Sequence, residues 1–369
     1  MSDGTKIEWT EATWNPITGC SVTSPGCTNC YAMKLAGTRL RNHASRAGLT
    51  AESQAGPVWT GEVRFNEQWL DQPLRWKRPR MIFVCAHGDL FHESVPDKWI
   101  DRVFAVMALC PQHTFQVLTK RSARVREYLT DNLAVRVQNA VDNLEPDGLW
   151  KFKGHEPWVI SDIRDSERGD YLPNLWLGVS VEDQARADER IPDLLATPAG
   201  VRWLSCEPLL GPVDLRSWLP DCYECGASCG LRLPSPPKVE RCTECGEECG
   251  PETEPMFSEG CPKCSGELEF ICPDCGHYMV YQHPDTPNLD WIVVGGESGP
   301  GARPMHPDWA RSLRDQCAAA GVPFFFKQWG NYRPTSDANG EYMIPVAKKQ
   351  AGRLLDGVQH DGMPRGQDA

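Results

Sequence analysis

A short apolar run that stops in a polar cluster occurs six times along this chain, and it restricts the fold more than any other feature. The runs are Met81–Ala86, Thr114–Leu118, Leu175–Ser180, Val201–Cys206, Trp291–Val294 and Val322–Phe326. Continuous apolar runs of this length fit strands of a parallel sheet that is covered on both faces. Between them lie stretches with helical spacing. One runs through Trp99, Ile100, Val103, Phe104, Val106 and Met107 after Pro96. Others cover 122–132, Asp183 to Leu195, and 307–320, the last closed by Gly321. Strand alternating with helix predicts βα units and a parallel sheet. With a further short strand near Ala12–Asn15, the expected fold is α/β, a partial or complete (β/α) barrel.

Residues 1–220 would form the first part of that barrel, 284–330 its end, and 331–369 a polar tail with a hairpin at Gly352–Gly357. Residues 47–61 are expected to be irregular, and 67–76 a modest helix broken by Pro73. Residues 142–173 are polar and read as a surface insertion. Barrel sites form at the C-terminal ends of the strands. Here those ends carry Asp89, Lys120, Glu182, Glu207, Glu297 and Lys327. Strand ends also meet water, which alone accounts for polar residues there.

The loop after the first strand holds Cys20, Cys27 and Cys30 in a C-x6-C-x2-C spacing, with Gly and Pro between the first two. A helix over 33–41 is expected to follow. Three thiolates from one loop can hold a soft metal centre. On a four-iron cluster they would leave one iron without a protein ligand, and an open position is where chemistry takes place. The same three could belong to a zinc site completed by a remote ligand, or be plain buried thiols.

A second cysteine block spans 221–283. It holds four CxxC pairs, Cys222/Cys225, Cys242/Cys245, Cys261/Cys264 and Cys272/Cys275. Two pairs make one tetrahedral thiolate site, so the block predicts two structural Zn2+ sites of the zinc-ribbon kind. Cys229, Cys249, His277 and His283 are alternative ligands. The block has few large apolar residues, so metal would have to hold it together.

The net charge of −12 argues against a chain that seeks polyanions with its whole surface. No apolar run is long enough to cross a membrane, and the first residues lack a signal-peptide pattern. A cytoplasmic location without membrane partners is therefore expected. In that reducing compartment 17 cysteines favour metal over disulfides.

Taken together, several stretches resemble the phage-associated three-cysteine-motif family. They are Asn15–Cys20 with Cys27–Ala32, Asp89–His92, Leu118–Arg121, Leu177–Gln184, Glu207–Pro212, Gly295–Pro304 and Phe324–Gly330. That family in turn resembles a divergent branch of the radical S-adenosylmethionine enzymes, closest to the photoproduct-lyase type. The resemblance implies a [4Fe-4S] cluster on Cys20, Cys27 and Cys30. It also implies S-adenosylmethionine on the open iron, cleaved to a radical that takes hydrogen from a nucleotide, nucleic acid or protein. The usual superfamily spacing is C-x3-C-x2-C. The usual Gly-Gly-Glu follows the second strand, whereas here Asp89 ends that strand and Gly295-Gly296-Glu297 follows the sixth.

On this reading Asp89, Ser180 and Glu182 are candidates for the polar groups of S-adenosylmethionine, and Gly295, Gly296 and Glu297 for the cofactor's approach. Lys120, Glu207 and Lys327 are candidates for substrate contact or acid–base work, as is Glu297. The lysines could equally be ion-paired partners of the carboxylates. Cys206 packs as a small hydrophobe or donates hydrogen, and Trp9, Trp14 and Trp329 pack in the core or stack on a base. Two other functions compete: a zinc-stabilised binding module for nucleic acid or protein, and a barrel enzyme with Lys120 or Lys327 as Schiff-base nucleophile.

Overall fold

The computed structural model describes residues 4–5, 7–144, 163, 170–219, 240–242, 248–249, 268–271, 278–279, 288–338 and 340–364. Seven strands build one sheet. They are β1 (Ala12–Trp14), β2 (Met81–Val84), β3 (Thr114–Thr119), β4 (Leu175–Ser180), β5 (Val201–Cys206), β6 (Trp291–Gly295) and β7 (Phe324–Gln328). Their spatial order is their sequence order, and every neighbouring pair is parallel. The sheet curls into a half-barrel. All six apolar runs and the N-terminal strand therefore occupy the expected places, in a sheet whose first and last strands do not pair.

Side-chain alternation assigns the two faces. Ile82, Val84, Phe115, Val117, Leu175, Leu177, Leu204 and Ile292 face the main core. There they meet the buried faces of helices α2 (Asp97–Ala108), α3 (Ser122–Thr130), α4 (Leu133–Leu144), α5 (Gln184–Leu195) and α6 (Pro307–Ala319). The concave face is packed by a separate aromatic cluster. Trp9 lies at its centre, with ring centroids 5.0 Å from Phe83, 5.3 Å from Trp203 and 5.8 Å from Trp291. One ring touching β2, β5 and β6 at once is what the curl of the sheet looks like from inside. Gly178 on β4 makes room: a Cβ there would lie 2.4 Å from the Trp203 ring. Trp9, Trp14 and Trp329 are all buried, so none is placed to stack on a base.

Several local expectations change. The helix after the cysteines, α1 (Tyr31–Gly37), starts two residues early and stops short of Arg41. Within 47–61, Thr50–Ser53 pairs with Gly56–Trp59 as a hairpin that packs on that helix. The 67–76 stretch makes two short 3-10 turns, because Pro73 opens the second turn and removes a donor from any continuous helix. Helix α4 runs into the stretch read as an insertion, separated from α3 by Asn132 at φ 47°. The tail is more ordered than its polarity implied. Tyr332–Asp337 pairs with Gly340–Pro345, and a tight turn closes at Leu355 and Val358. Residues 360–362 then run along the outer edge of β7, with Phe326 N–H donating to His360 O (3.0 Å) and Gly362 N–H to Phe324 O (3.0 Å). That covers backbone groups an edge strand would leave open.

In the second cysteine block, Glu240–Cys242, Glu248–Cys249, Leu268–Ile271 and Tyr278–Met279 form a small antiparallel sheet. Cys222, Cys225, Cys245, Cys261, Cys264, Cys272 and Cys275 lie outside the described residues. Among the described residues no helix is long and apolar enough to cross a membrane.

Candidate functional site

The cysteine loop lies across the C-terminal ends of the strands, and side chains from four of those ends hold it. Beyond β2, Asp89 is nearly fully buried and accepts from Thr119 Oγ1 (2.8 Å), Phe91 N–H (3.0 Å) and Arg121 Nη1 (2.9 Å). Arg121, just past β3, then reaches the loop itself. Its Nη1 lies 3.4 Å from Cys20 Sγ and its Nη2 donates to Ser21 Oγ at 2.7 Å. His92 completes this anchor. Its Nδ1 accepts from Ser94 N–H (3.1 Å), so Nε2 carries the proton and faces Ser21 Oγ at 3.0 Å.

Past β4, Glu182 has no exposed surface. Ser24 Oγ donates to it at 2.6 Å, Arg190 Nη1 lies at 3.0 Å and Lys120 Nζ at 3.4 Å. Burial works against its charge. The two cations and the Ser24 hydroxyl outweigh burial and hold Glu182 below the usual carboxylate range. Gly26 exists for this contact, since a Cβ there would lie 2.3 Å from Glu182 Oε1.

Past β6, Glu297 does the same for the other end of the loop. Asn29 Nδ2 donates to it at 2.9 Å, and Arg303 donates through Nη2 at 2.6 Å and through its backbone N–H at 2.8 Å. Burial opposes the Glu297 charge, and the bonds from Arg303 and Asn29 prevail, so this carboxyl too sits low. Arg303 also donates to Pro25 O at 2.9 Å.

The three cysteines are unbridged. Among the described residues no three cysteine, histidine or carboxylate side chains converge closely enough to hold a single metal ion. Burial, then the Asp89 charge, push the Cys20 thiol up to about 12, with Arg121 pulling the other way. Burial also raises Cys30, although the Met33 and Ala32 amides at the start of its helix oppose it. Cys27 differs: burial is outweighed by the Lys120 charge and by the Thr23 and Ser24 bonds, and its thiol is lowered.

The ends of β5 and β7 pair with each other instead. Glu207 Oε2 accepts from Lys327 Nζ at 2.6 Å and Oε1 from Gln328 Nε2 at 2.7 Å. The pair is half-buried, with side-chain exposures of 19% and 16%, and so keeps access to the mouth. Gly295 makes space for it, as a Cβ would lie 3.2 Å from the Glu207 carboxyl. Gly296 allows the Trp329 carbonyl to approach, since a Cβ would lie 2.2 Å from that oxygen. Ser180 is buried at the end of β4, where its carbonyl accepts from Arg190 at 2.8 Å. Cys206 is buried and packs in the main core.

A family described as protein of unknown function (DUF5131) matches residues 4–364. The chain belongs to that family. No curated protein and no solved structure matches it. The matched span, residues 4–364, takes in the cysteine loop, the strand ends and the second cysteine block.

Sequence reasoning chose the carboxylates and lysines and passed over Ser24, Asn29, Arg121, Arg190 and Arg303. Arg121, Asn29 and Arg303 stood inside the motifs Leu118–Arg121, Cys27–Ala32 and Gly295–Pro304. A carboxylate at a strand end next to a fixed arginine was the available signal.

Proposed function

We propose that this chain is an iron–sulfur enzyme of the radical S-adenosylmethionine type that modifies a nucleotide, a nucleic acid or a protein. The observation that carries the reading is the anchored loop: three unbridged cysteines fixed over the C-terminal mouth of a parallel half-barrel by Arg121, Glu182 and Glu297. The donor set fits a [4Fe-4S] cluster, because each sulfur has a positive or amide group beside it: Arg121 at Cys20, Lys120 at Cys27, two backbone amides at Cys30. When bound, the cluster and S-adenosylmethionine would supply a radical able to remove a substrate hydrogen.

The chain's own residues divide the remaining work. Arg121, Glu182, Glu297 and Arg303 position the loop. The Glu207–Lys327 pair, left open to the mouth, contacts substrate and can hold a proton between Oε2 and Nζ. The aromatic floor closes the opposite end and keeps water out. Both lysines are engaged by carboxylates, Lys120 at 3.4 Å and Lys327 at 2.6 Å, which favours binding roles over a Schiff-base nucleophile. For the second block we propose two structural zinc sites on its four CxxC pairs. The antiparallel pairing of its short strands supports a ribbon.

Anaerobic purification with metal analysis and electron paramagnetic resonance tests the reading. About four irons per chain, with a reduced signal that S-adenosylmethionine perturbs and that Cys20→Ala abolishes, is the expected result. Zinc alone after reconstitution would overturn it and leave the binding-module reading.

A further inference from the structure

Three arginines are buried among the described residues: Arg46, Arg121 and Arg190. Two have carboxylates within reach, Arg121 with Asp89 at 2.9 Å and Arg190 with Glu182 at 3.0 Å. Arg46 has none. It is 4% exposed, and its hydrogen-bond partners are Ser45 Oγ at 2.7 Å, Ser45 O at 3.2 Å and His87 Nδ1 at 2.6 Å, while its Nε is buried with no partner. A buried cation is expensive unless an anion accompanies it. The neighbours do not supply one. Burial pushes the Cys85 thiol up to about 12, and burial with the Arg46 charge pulls His87 down to about 4, so both are neutral at pH 7.

The contact with Arg46 also fixes the His87 ring. A guanidinium can only donate, so Nδ1 accepts and the ring proton sits on Nε2. The backbone is fixed as well, with His87 N–H on Asn15 Oδ1 at 3.0 Å and His87 O accepting from Gly19 N–H at 3.2 Å. Nε2 has no hydrogen-bond partner among the described residues and is not sealed off, since His87 is half-buried. Beside it stands the Tyr31 ring, 56% exposed and edge-on at 6.2 Å, its hydroxyl bonded to Ala86 O. The segment that supplies Tyr31 and Arg46, residues 12–51, contains no Asp or Glu but includes Lys34, Arg39, Arg41 and Arg46, in a chain of net charge −12; the nearest carboxylates, Asp89 and Glu207, are already engaged by Arg121 and Lys327. None of these four forms an ion pair among the described residues.

We propose that Arg46 and His87 form a seat for a substrate phosphate, with His87 Nε2–H donating to a phosphate oxygen, Arg46 supplying the compensating charge behind the ring, and Tyr31 offering its exposed face to the adjoining base. This deepens the function proposed above by naming a nucleotide or nucleic acid as its substrate class, and rests on that function for the reaction. His87 is the binding residue and Arg46 a positioning residue.

The test needs neither iron nor reductant, so it can fail separately from the radical reading. The His87 ring signals of the purified full chain are followed by nuclear magnetic resonance during titration with inorganic phosphate, thymidine and thymidine 5′-monophosphate. Binding of a fluorescent single-stranded oligonucleotide is measured alongside. Phosphate and the monophosphate should move the His87 signals and thymidine should not. Arg46→Met should weaken oligonucleotide binding at least tenfold, His87→Ala should weaken it several-fold, and His87→Gln, which keeps a donor, should restore part of the loss. His87 signals that stay fixed at saturating phosphate overturn the proposal in the unaltered protein, whether or not Arg46→Met folds. So does S-adenosylmethionine moving those signals where phosphate does not, which would make the anion a carboxylate. Oligonucleotide binding undiminished in a folded Arg46→Met or His87→Ala protein would also overturn it.

Discussion

The two ends of the half-barrel's concave face are built from opposite materials. At the floor, Trp9, Trp203, Trp291 and Phe83 meet ring to ring, with Trp291 Nε1 donating to Gly362 O at 2.7 Å. At the mouth, Asp89, Glu182 and Glu297 are charged, largely buried, and committed to arginines and to the cysteine loop. The floor derives its stability from contact area, which tolerates approximation. The mouth derives order from paired charges, which does not, because removing one partner strands the other. This difference predicts where stability and loop geometry separate.

Glu182→Gln should break the comparison most sharply. It leaves Arg190 and Lys120 short of a counter-charge and should cost about 3–5 kcal/mol in denaturant unfolding, with loss of iron incorporation. Trp203→Ala should cost a similar amount, about 3–5 kcal/mol, while the chains that remain folded still incorporate iron. Equal iron loss in both would erase the distinction between floor and mouth. Glu297→Gln weakens bonds to Asn29 and Arg303 at a more open place and should cost about 1.5–3 kcal/mol. Its loop should become more accessible to thiol alkylation. Gly178→Ala sharpens the other side. Its new methyl meets the Trp203 ring, and overpacking should lower stability by about 1–3 kcal/mol without altering thiol accessibility.

The smallest effect is one of pH. His87 is held at about 4 against an ordinary 6.5. The unfolded chain therefore binds the proton first, and the native advantage is complete above 6.5 and is lost as pH falls toward 4. His87→Gln should flatten the stability curve across that window. An unchanged slope would show that other groups set it.

The floor and the strands were legible in the sequence because burial on both faces leaves a plain mark: apolar runs of strand length with abrupt ends. The alternation that sends Phe83 inward and Ile82 and Val84 outward was not visible, because both faces are apolar. At the mouth, residue type was legible and role was not. Glu182, Glu207 and Glu297 look alike as letters at strand ends. Only three-dimensional neighbours show that two of them hold the cysteine loop while Glu207, paired with Lys327, faces the opening. Arg46 escaped notice for a related reason. An arginine in a polar stretch reads as a surface residue, and what distinguishes Arg46 is burial without a carboxylate partner, which no sequence displays.

The anchors of the cysteine loop also set a timetable. Cys20, Cys27 and Cys30 are made within the first thirty residues, yet Ser24 waits for Glu182, and Asn29 and Pro25 wait for Glu297 and Arg303. During synthesis the amino end emerges long before its partners. The loop therefore leaves the ribosome as a flexible thiol-bearing segment and gains its final shape only after residue 303 is in place. Any metal delivered early would meet a chelating peptide, and any delivered late would meet a built site. The order of the letters makes the fixing of this loop a closing step in the life of a new chain.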